Sequence, residues 1–245
     1  MEKNKIKKII SKKYLKLIIE FKKVIIDIYA TKSYSQEGED MILKRIFEKQ
    51  KTGFYVDIGA HHPKRFSNTY YFYKKGWHGI NIDAMPGSMK HFRKMRPRDI
   101  NLEIAISNKK QELTYYIFNE TALNTFSKLL AKERDGKGKY KVCKEIKIKT
   151  LTLEEVLNNY LSKEKEIDFL SIDVEGLDFQ VLRSNNWYKY KPKVILIEAL
   201  DFSFNNLKDS YIYKFLIDKD YQLLAKTFNT LIFINKESFN LEGFK

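Results

Sequence analysis

The stretch FYVDIGAHHPKRFSNT, residues 54–69, decides the fold of this 245-residue chain. Its first residues are mostly apolar around a single aspartate, which is typical of a strand buried on both faces of a parallel sheet. Gly59 ends this strand, and two histidines and a proline then stand where a dinucleotide-binding loop carries further glycines. The stretch therefore predicts the first strand and turn of an open α/β sheet without a phosphate cradle.

Four more short apolar runs predict buried strands, and helical segments lie between several of them. The runs cover residues 79–84, 100–106, 167–173 and 193–199. One helix is predicted from 67 to 75, before Gly76, and another after Thr152, where Glu155 completes a capping box. This alternation of strands and helices is typical of a parallel sheet with helices on its faces.

The second half of the chain adds an insert and a terminal hairpin. Residues 111–150 predict a looser insert with one strand, ELTYYIF, and the tail 221–235 predicts two strands joined by a turn at Asn229 and Thr230. The sum is a doubly wound, Rossmann-like α/β fold with a mostly parallel sheet that ends in a C-terminal β-hairpin.

Residues 1–32 form a basic segment outside this domain, which we place at 33–245. The segment carries ten lysines against three acidic residues, and its apolar residues recur at alternating spacings of four and three. This spacing predicts an amphipathic helix, and the interrupting lysines argue against a membrane span. Glu20 and Asp27 within the apolar region, with no small-residue cleavage site after it, argue against a signal peptide. Two interpretations stay open: packing on its own domain or on the partner subunit of a dimer, or peripheral anchoring of residues 1–30 at an anionic membrane.

Composition limits the class of protein. Apolar residues make up 43% of the chain, and the single cysteine, Cys143, excludes an intramolecular disulfide. Both observations suit one globular domain in a reducing cytosol, so we expect a cytoplasmic protein, at most peripheral at the inner face of the membrane. The net charge of +15 attracts polyphosphates, but the lysines are widely spread and no nucleic-acid motif accompanies them. A nucleic-acid partner is therefore not expected.

Polar residues at the ends of the predicted strands point to the ligand, because open parallel sheets bind ligands there. Asp83 ends the second strand 24 residues after Gly59, where a carboxylate accepts hydrogen bonds from ribose hydroxyls. NAD and S-adenosylmethionine both present such a ribose. The turn GAHHPK lacks the glycines that a diphosphate requires, and Pro63 lacks an N–H. The pattern favours S-adenosylmethionine, with Asp57 predicted to hold its ammonium group.

Five motifs carry a family resemblance. In order they are SQEGED (35–40), VDIGAHHPKRFSNT (56–69), GWHGINID (76–83), LSIDVEGLDFQVLRS (170–184) and KPKVILIE (191–198). With these motifs the chain resembles the FkbM-type S-adenosylmethionine-dependent methyltransferases. The resemblance implies a class I methyltransferase fold that methylates hydroxyl groups, often those of sugars in surface glycans or of natural products.

The same resemblance implies roles for individual residues. Cofactor contacts are implied for Asp57, Gly59, Ala60, His61, Asp83, Ala84, Ala105 and Ile106, and a cofactor lid for Gln36 and Asp40. The IDVEG motif places Asp173 and Glu175 beside the reactive methyl group. The lid motif SQEGED is also compatible with a simple helix N-cap. After the second strand the chain carries DAMPGS where similar proteins carry DPNP, so the residues at 84–86 depart from the family pattern.

Methyl transfer to a hydroxyl group calls for a general base or a metal ion. Asp173 is predicted to orient or deprotonate the acceptor, with Glu175 as a second carboxylate or as the cap of the next helix. His62 is another candidate base, or else a turn residue bonded to the backbone. Alternatively, Asp173 and Glu175, together with His62 or Asn68, can bind Mg²⁺ or Mn²⁺.

The sequence therefore predicts an O-methyltransferase that acts on a glycan or a glycosylated intermediate. Two rivals stay open: an NAD-linked oxidoreductase, and a non-catalytic module that binds nucleic acid or a membrane surface through its basic charge. The 111–150 insert is expected to select the acceptor, which the sequence does not identify.

Overall fold

The computed structural model describes residues 12–25, 30–162 and 165–238. The chain divides into two compact units, Met1–Ser33 and Tyr34–Lys245. In the described part of the first unit, helix α1 covers Lys12–Ile25. The two ends of the predicted basic helix, 1–11 and 26–29, lie outside the described residues. Within the described ranges, no helix combines the length and apolar content that crossing a bilayer requires.

The second unit alternates strands and helices along the chain. Its described strands are β1 (Phe54–Ile58), β2 (His78–Asp83), β3 (Ile100–Glu103), β4 (Ala105–Ile106), β5 (Glu112–Phe118), β6 (Val142–Leu151), β7 (Phe169–Ile172), β8 (Val194–Glu198), β9 (Tyr221–Lys226) and β10 (Thr230–Asn235). Its described helices are α2 (Glu39–Ile46), α3 (Tyr70–Lys74), α4 (Met89–Met95), α5 (Lys128–Arg134), α6 (Leu153–Tyr160), α7 (Asp178–Arg183) and α8 (Tyr211–Ile217). Two 3-10 segments cover Thr121–Leu123 and Phe204–Asp209.

Seven strands form one sheet in the order β3-β2-β1-β7-β8-β10-β9. The first five strands in this order, β3, β2, β1, β7 and β8, are parallel to one another. Strand β10 pairs antiparallel with both β8 and β9. Strands β2 and β3 extend the sheet on one side of β1, whereas β7 and β8 extend it on the other. This reversal of strand order creates a crevice at the carboxyl ends of β1 and β7. The mostly parallel α/β sheet predicted from the apolar runs is confirmed.

Alternate residues of β1 face two different cores, which explains its nearly continuous apolar sequence. Val56 and Ile58 belong to a core that includes residues of α6 and α7. Tyr55 faces the opposite side and packs in a core with residues of α2 and α3. Helices therefore cover both faces of the sheet, as a doubly wound arrangement requires.

The insert is more ordered than its sequence suggested. Strands β4, β6 and β5 form a second sheet in that order, and β5 pairs antiparallel with β6. The prediction of a loose insert with one strand was wrong in missing β6. Ile146 and Ile148 alternate there with exposed lysines, which is the period-two pattern of a strand with one solvated face.

Other element boundaries differ little from the predictions. The run 100–106 divides into β3 and β4 at Ile104, whose N–H donates to the carbonyl oxygen of Asp83 at 3.1 Å. Helix α3 begins three residues later than predicted. The capping box formed by Thr152 and Glu155 at the start of α6 is confirmed.

The turn of the C-terminal hairpin contacts the SQEGED segment. The turn centres on Phe228 and Asn229, one residue earlier than predicted. The Thr227 hydroxyl donates to Glu39 at 3.0 Å, and the Asn229 N–H donates to Glu37 at 2.8 Å. The acidic residues of SQEGED therefore join the beginning of this unit to its last pair of strands.

A buried ion pair and its hydrogen bonds lie beneath the first turn. Arg96 is fully buried and donates to Asp99 and to the Tyr55 hydroxyl, each at 2.8 Å. Arg96 also donates to the Thr69 hydroxyl at 2.9 Å, and Thr69 in turn donates to Asp57 at 2.7 Å. Because buried charges are costly unless they are paired and hydrogen-bonded, this network fixes the relative positions of β1, α3 and α4.

Candidate functional site

A cavity of ≈ 480 Å³ opens at the carboxyl ends of β1, β2 and β7, where the strand order reverses. The residues of its lining that the sequence predicted are Gly59, His61, His62, Asp83, Ala84, Ile106, Gln36, Asp173 and Glu175. Among the described residues, the lining leaves out five other predicted ones: Asp57, Ala60, Ala105, Asp40 and Asn68. The cavity therefore collects most of the predicted site, from strand tips far apart in the sequence.

The first half of the turn after β1 uses its backbone donors inside the protein. Gly59 and Ala60 donate to the carbonyl oxygen of Ile82 at 2.9 and 3.0 Å. The N–H of His61 donates to a carboxylate oxygen of Asp83 at 2.9 Å. These bonds join the turn to the end of β2.

The second half of the turn is closed by His62. Its N–H donates to the carbonyl oxygen of Ala60, and its Nδ1 accepts the N–H groups of Lys64 and Arg65 at 3.0 and 2.9 Å. Pro63, between His62 and Lys64, has no N–H. All six N–H groups from residue 59 to residue 65 therefore have protein acceptors, and this turn offers no cradle to a diphosphate.

This geometry favours His62 as a turn residue over His62 as a general base. Because Nδ1 accepts two N–H groups, the neutral ring carries its proton on Nε2 and has no free lone pair for an acceptor proton. Burial, with the neighbouring charges of His61 and Arg65, also lowers the pKa of His62. The turn role that the sequence left open is the one that the contacts support.

Two backbone donors hold the carboxylate of Asp83 at the cavity wall. The N–H of His61 bonds to Oδ2 at 2.9 Å, and the N–H of Met85 bonds to Oδ1 at 2.8 Å. Burial raises the pKa of Asp83, and these two hydrogen bonds oppose that shift. Each oxygen retains capacity for a further donor, so the group can accept both hydroxyls of a ribose.

The structure does not support the predicted contact between Asp57 and a ligand ammonium group. The side chain of Asp57 is only 5% exposed and accepts the Thr69 hydroxyl. Burial raises its pKa, and the nearby Arg96 guanidinium opposes the shift. Asp57 lies below the turn in the buried network, so its charge serves the fold.

Two of the three predicted alanine contacts, Ala60 and Ala105, lie outside the cavity lining, whereas Ala84 belongs to it. Ala60 is 4% exposed and packs against Met89 and Phe92 of α4. Ala105 is buried in β4, whereas the next residue, Ile106, lines the cavity as predicted. Side chains alternate along a strand, so only one of these two neighbours can face the ligand.

Of the two residues of the SQEGED segment that were predicted to form a lid, one lines the cavity and the other does not. Gln36 lines the cavity. Asp40 is fully buried and accepts the Tyr34 N–H at 2.7 Å and the Ser35 hydroxyl at 2.8 Å. The cofactor contact predicted for Asp40 is therefore replaced by a structural one at the start of α2.

The turn after β7 carries the two predicted catalytic carboxylates. Asp173 and Glu175 both line the cavity. Glu175 has a left-handed backbone with φ of 54°, which is uncommon for a residue with a β-carbon. The carboxylate of Asp178 accepts the N–H groups of Val174 and Gly176 at 3.0 Å each. Asp178, which sequence reasoning missed, therefore holds the turn in this shape.

Residues of the insert bond to and pack against the turn after β7. The Thr125 hydroxyl donates to the carbonyl oxygen of Glu175 at 2.6 Å. Arg134, on α5, places Nη2 2.6 Å from Oε2 of Glu175. A β-carbon on Gly176 would lie 2.7 Å from Leu130 Cδ1, so the insert packs closely on the turn. Insert residues thus position a catalytic candidate and charge-pair with it.

Three carboxylates meet at this point. Oxygen atoms of Asp173, Glu175 and Glu198 all lie within 4.8 Å of one another. Solvent reaches Asp173 through the cavity, but the surrounding protein and the charge of Glu175 raise its pKa well above the usual range. Burial and the charge of Asp173 raise the pKa of Glu198 to about 10. Burial also raises the pKa of Glu175, and Arg134 opposes that shift.

Among the residues that the structure describes, these three carboxylates are close enough together to hold a divalent metal ion. Hard oxygen ligands suit Mg²⁺ and Mn²⁺, and a cation would relieve the mutual repulsion of the acids. The predicted third ligand differs: His62 is engaged in its turn, and Asn68 donates its amide to Ser171 at 3.1 Å. Glu198 would be the third ligand instead.

Aromatic residues of the insert complete the cavity wall and were missed by sequence reasoning. Tyr115 and Phe126 line the cavity, with ring centroids 4.5 Å apart. Across the mouth, Arg65 of the first turn forms two hydrogen bonds with Glu120, at 3.2 and 3.3 Å. The alternation in ELTYYIF predicted a strand here, but no sequence signal shows that this strand packs over the site.

The strand order and the cavity together define a Rossmann-like α/β domain whose cavity lies at the switch point of the sheet, where open parallel sheets bind their ligands. The methyltransferase FkbM domain matches residues 57–223. The chain therefore belongs to this family of methyltransferases, and the resemblance read from the sequence motifs is confirmed. No curated protein matches the chain.

Proposed function

We propose that this chain transfers a methyl group from S-adenosylmethionine to a hydroxyl group of a sugar, in a glycan or a glycosylated intermediate. The observation that carries the proposal is that the first turn leaves a carboxylate, and no backbone N–H group, available to a ligand. Asp83 presents a fixed carboxylate to the cavity, while all six N–H groups between residues 59 and 65 bond within the protein. Such a site suits a nucleoside without a diphosphate.

The cavity offers matching partners to each part of that nucleoside. Asp83 accepts the ribose hydroxyls, and the apolar walls at Ile106 and Tyr115 suit a purine. Asp173 and Glu175 follow the end of β7 and line the cavity there, where an acceptor can approach. S-adenosylmethionine supplies an electrophilic methyl group on a positively charged sulfur atom.

The chain's own contribution is to orient the acceptor and to remove its proton. Because transfer is an in-line displacement, holding the hydroxyl in near-attack geometry supplies much of the rate. Asp173, whose side chain lines the cavity at the end of β7, takes the hydroxyl proton as the general base. Arg134 pairs with Glu175 beside it and opposes the rise that burial causes in the pKa of Glu175. A Mg²⁺ or Mn²⁺ ion held by Asp173, Glu175 and Glu198 is the alternative means of activating the hydroxyl.

Calorimetry tests the cofactor. We expect S-adenosylhomocysteine to bind and NADH to fail, since a dinucleotide finds no N–H donors in the turn. Binding of NADH without binding of S-adenosylhomocysteine would instead support the oxidoreductase. If nucleic acid binds with a steep salt dependence and neither cofactor does, the non-catalytic module is correct.

Product analysis tests the reaction. The full chain is incubated with methyl-labelled S-adenosylmethionine and a panel of sugars and glycosylated lipids. We expect label in a methyl ether, which survives mild alkali, whereas a methyl ester would lose it. Asp173→Asn is expected to keep its affinity for S-adenosylhomocysteine and to lose about 10²-fold or more in turnover. The exposed Asp201→Asn is the control, and unchanged turnover in Asp173→Asn would remove the assigned role.

A further inference from the structure

The described part of α1 exposes an apolar face. Tyr14, Leu17, Ile18 and Phe21 are 66%, 54%, 43% and 68% exposed. Their spacing puts them within an arc of about 100° on the helix surface. Lys16 and Glu20, off that arc, are exposed as well, and so is Leu15. Taken by itself, this helix has four large apolar side chains on one side that its own unit does not cover, which indicates a surface that needs a partner.

The charge of the segment restricts the partner. Residues 1–32 carry ten lysines and three acidic residues, an excess of seven positive charges. A second copy of the segment would bring an equal charge against it, which opposes self-association. A nucleic acid would satisfy the lysines and leave the apolar face in water. An anionic lipid surface satisfies both, because acyl chains accept the apolar face while headgroups attract the lysines.

We propose that α1 binds in the plane of an anionic lipid bilayer, with Tyr14, Leu17, Ile18 and Phe21 inserted among the acyl chains. Lysines interrupt every apolar run of residues 1–32, so no stretch approaches the roughly 20 apolar residues that a membrane span needs. The proposed position of the helix is therefore in the plane of the membrane.

Vesicle co-sedimentation of the full chain tests the proposal. At about 0.1 M salt, we expect strong binding to vesicles of equal parts phosphatidylglycerol and phosphatidylcholine, and weak binding to phosphatidylcholine alone. The double variant Leu17→Ser/Phe21→Ser is expected to bind the anionic vesicles at least about tenfold more weakly. Tyr188→Ser, which removes a 99% exposed aromatic residue from the other unit, should bind like the parent.

Three outcomes would overturn the inference. Equal binding to both vesicle types would exclude attraction between the lysines and anionic headgroups. Unchanged binding of the double variant would exclude insertion of the apolar side chains. A concentration-dependent dimer that the double variant converts to a monomer, without vesicle binding, assigns the face to a second copy of the chain. Calorimetry of each variant with S-adenosylhomocysteine reports on the cavity separately, so failure here is distinguishable from failure of the proposed methyl transfer.

Discussion

A β-carbon on Gly59 would lie 1.6 Å from the backbone carbonyl oxygen of Asp173. Gly59 also has φ of 82°, a conformation that residues with side chains rarely adopt. The turn after β1 and the end of β7 are therefore in direct backbone contact, without any side chain between them. The turn after β1 and the turn after β7 can approach this closely because residue 59 is a glycine.

Gly59→Ala should therefore damage both folding and ligand binding. We expect a loss of stability greater than the about 1–2 kcal/mol that a left-handed β-carbon costs by itself, because the clash is with backbone. Urea unfolding and calorimetry with S-adenosylhomocysteine measure the two effects. Gly136→Ala is the matched control, since Gly136 has φ of 79° and nothing within 4 Å of an added β-carbon. Equal losses in the two variants would show that strain alone explains the effect.

Asp83→Asn should weaken nucleoside binding selectively. An amide cannot accept both backbone N–H groups and both ribose hydroxyls, so we expect at least about tenfold weaker binding of S-adenosylhomocysteine. The parent should also discriminate against an analogue without the 2′-hydroxyl, and the variant should not. Glu103→Gln changes the exposed carboxylate at the same register of β3 and serves as the control. Discrimination retained by Asp83→Asn would contradict the ribose contact.

Arg134→Met should lower turnover more than cofactor affinity. Without the guanidinium, Glu175 faces Asp173 and Glu198 unopposed and tends to bind a proton. We expect kcat to fall about tenfold, which corresponds to about 1.4 kcal/mol, with little change in the Kd of S-adenosylhomocysteine. Arg134→Lys should restore part of the rate. Lys132→Met, on the exposed side of the same helix, is the control, and a similar rate in both methionine variants would refute the role of the ion pair.

Glu198→Gln should stabilise the protein at alkaline pH. The pKa of Glu198 is about 10 in the folded state against an ordinary 4.5, so between these values the folded state binds a proton that the unfolded state lacks. The stability that this group contributes is complete below pH 4.5 and is lost as the pH rises toward 10, by at most about 1.4 kcal/mol per pH unit. Thermal unfolding from pH 5 to pH 9, compared between parent and variant, measures the slope.

The exposed strand residue Glu145 offers the control for that experiment, because Glu145→Gln should leave the pH dependence unchanged. Adding Mn²⁺ at alkaline pH extends the test. If the three carboxylates bind the cation, Mn²⁺ raises the Tm of the parent and not that of Glu198→Gln. A Tm that is insensitive to Mn²⁺ would leave proton transfer to Asp173 as the means of activation.

The strands of the main sheet were predictable because each is a short, nearly continuous apolar run, and burial on both faces leaves that pattern. Asp83 was predictable because its position at a strand tip fixes its direction. Asp57 was not, since an aspartate inside a buried strand can face either a ligand or a buried cation. The Arg96 guanidinium, which Thr69 links to Asp57, lies 39 residues further along the chain, and only the packing of α4 brings it near the strand.

The carboxylate cluster depends on long-range register in the same way. Glu198 comes close to Asp173 because β7 and β8 pair with Ile172 opposite Ile197. The end of each strand was recognisable in the sequence, but the register between the two strands was not. Arg134 carried no signal, since the sequence contains no pattern that docks α5 on the catalytic turn.

The strand order also has a consequence for biosynthesis. The outer edge of β8 is covered by β10, which is made after β9 and inserts between the two. While a ribosome is still translating the preceding segment, the edge of β8 has its amides and carbonyls unpaired, open to aggregation or to a chaperone. Completion of the sheet therefore waits for the hairpin to leave the exit tunnel, and a nascent chain stalled before Thr230 is expected to be a chaperone client.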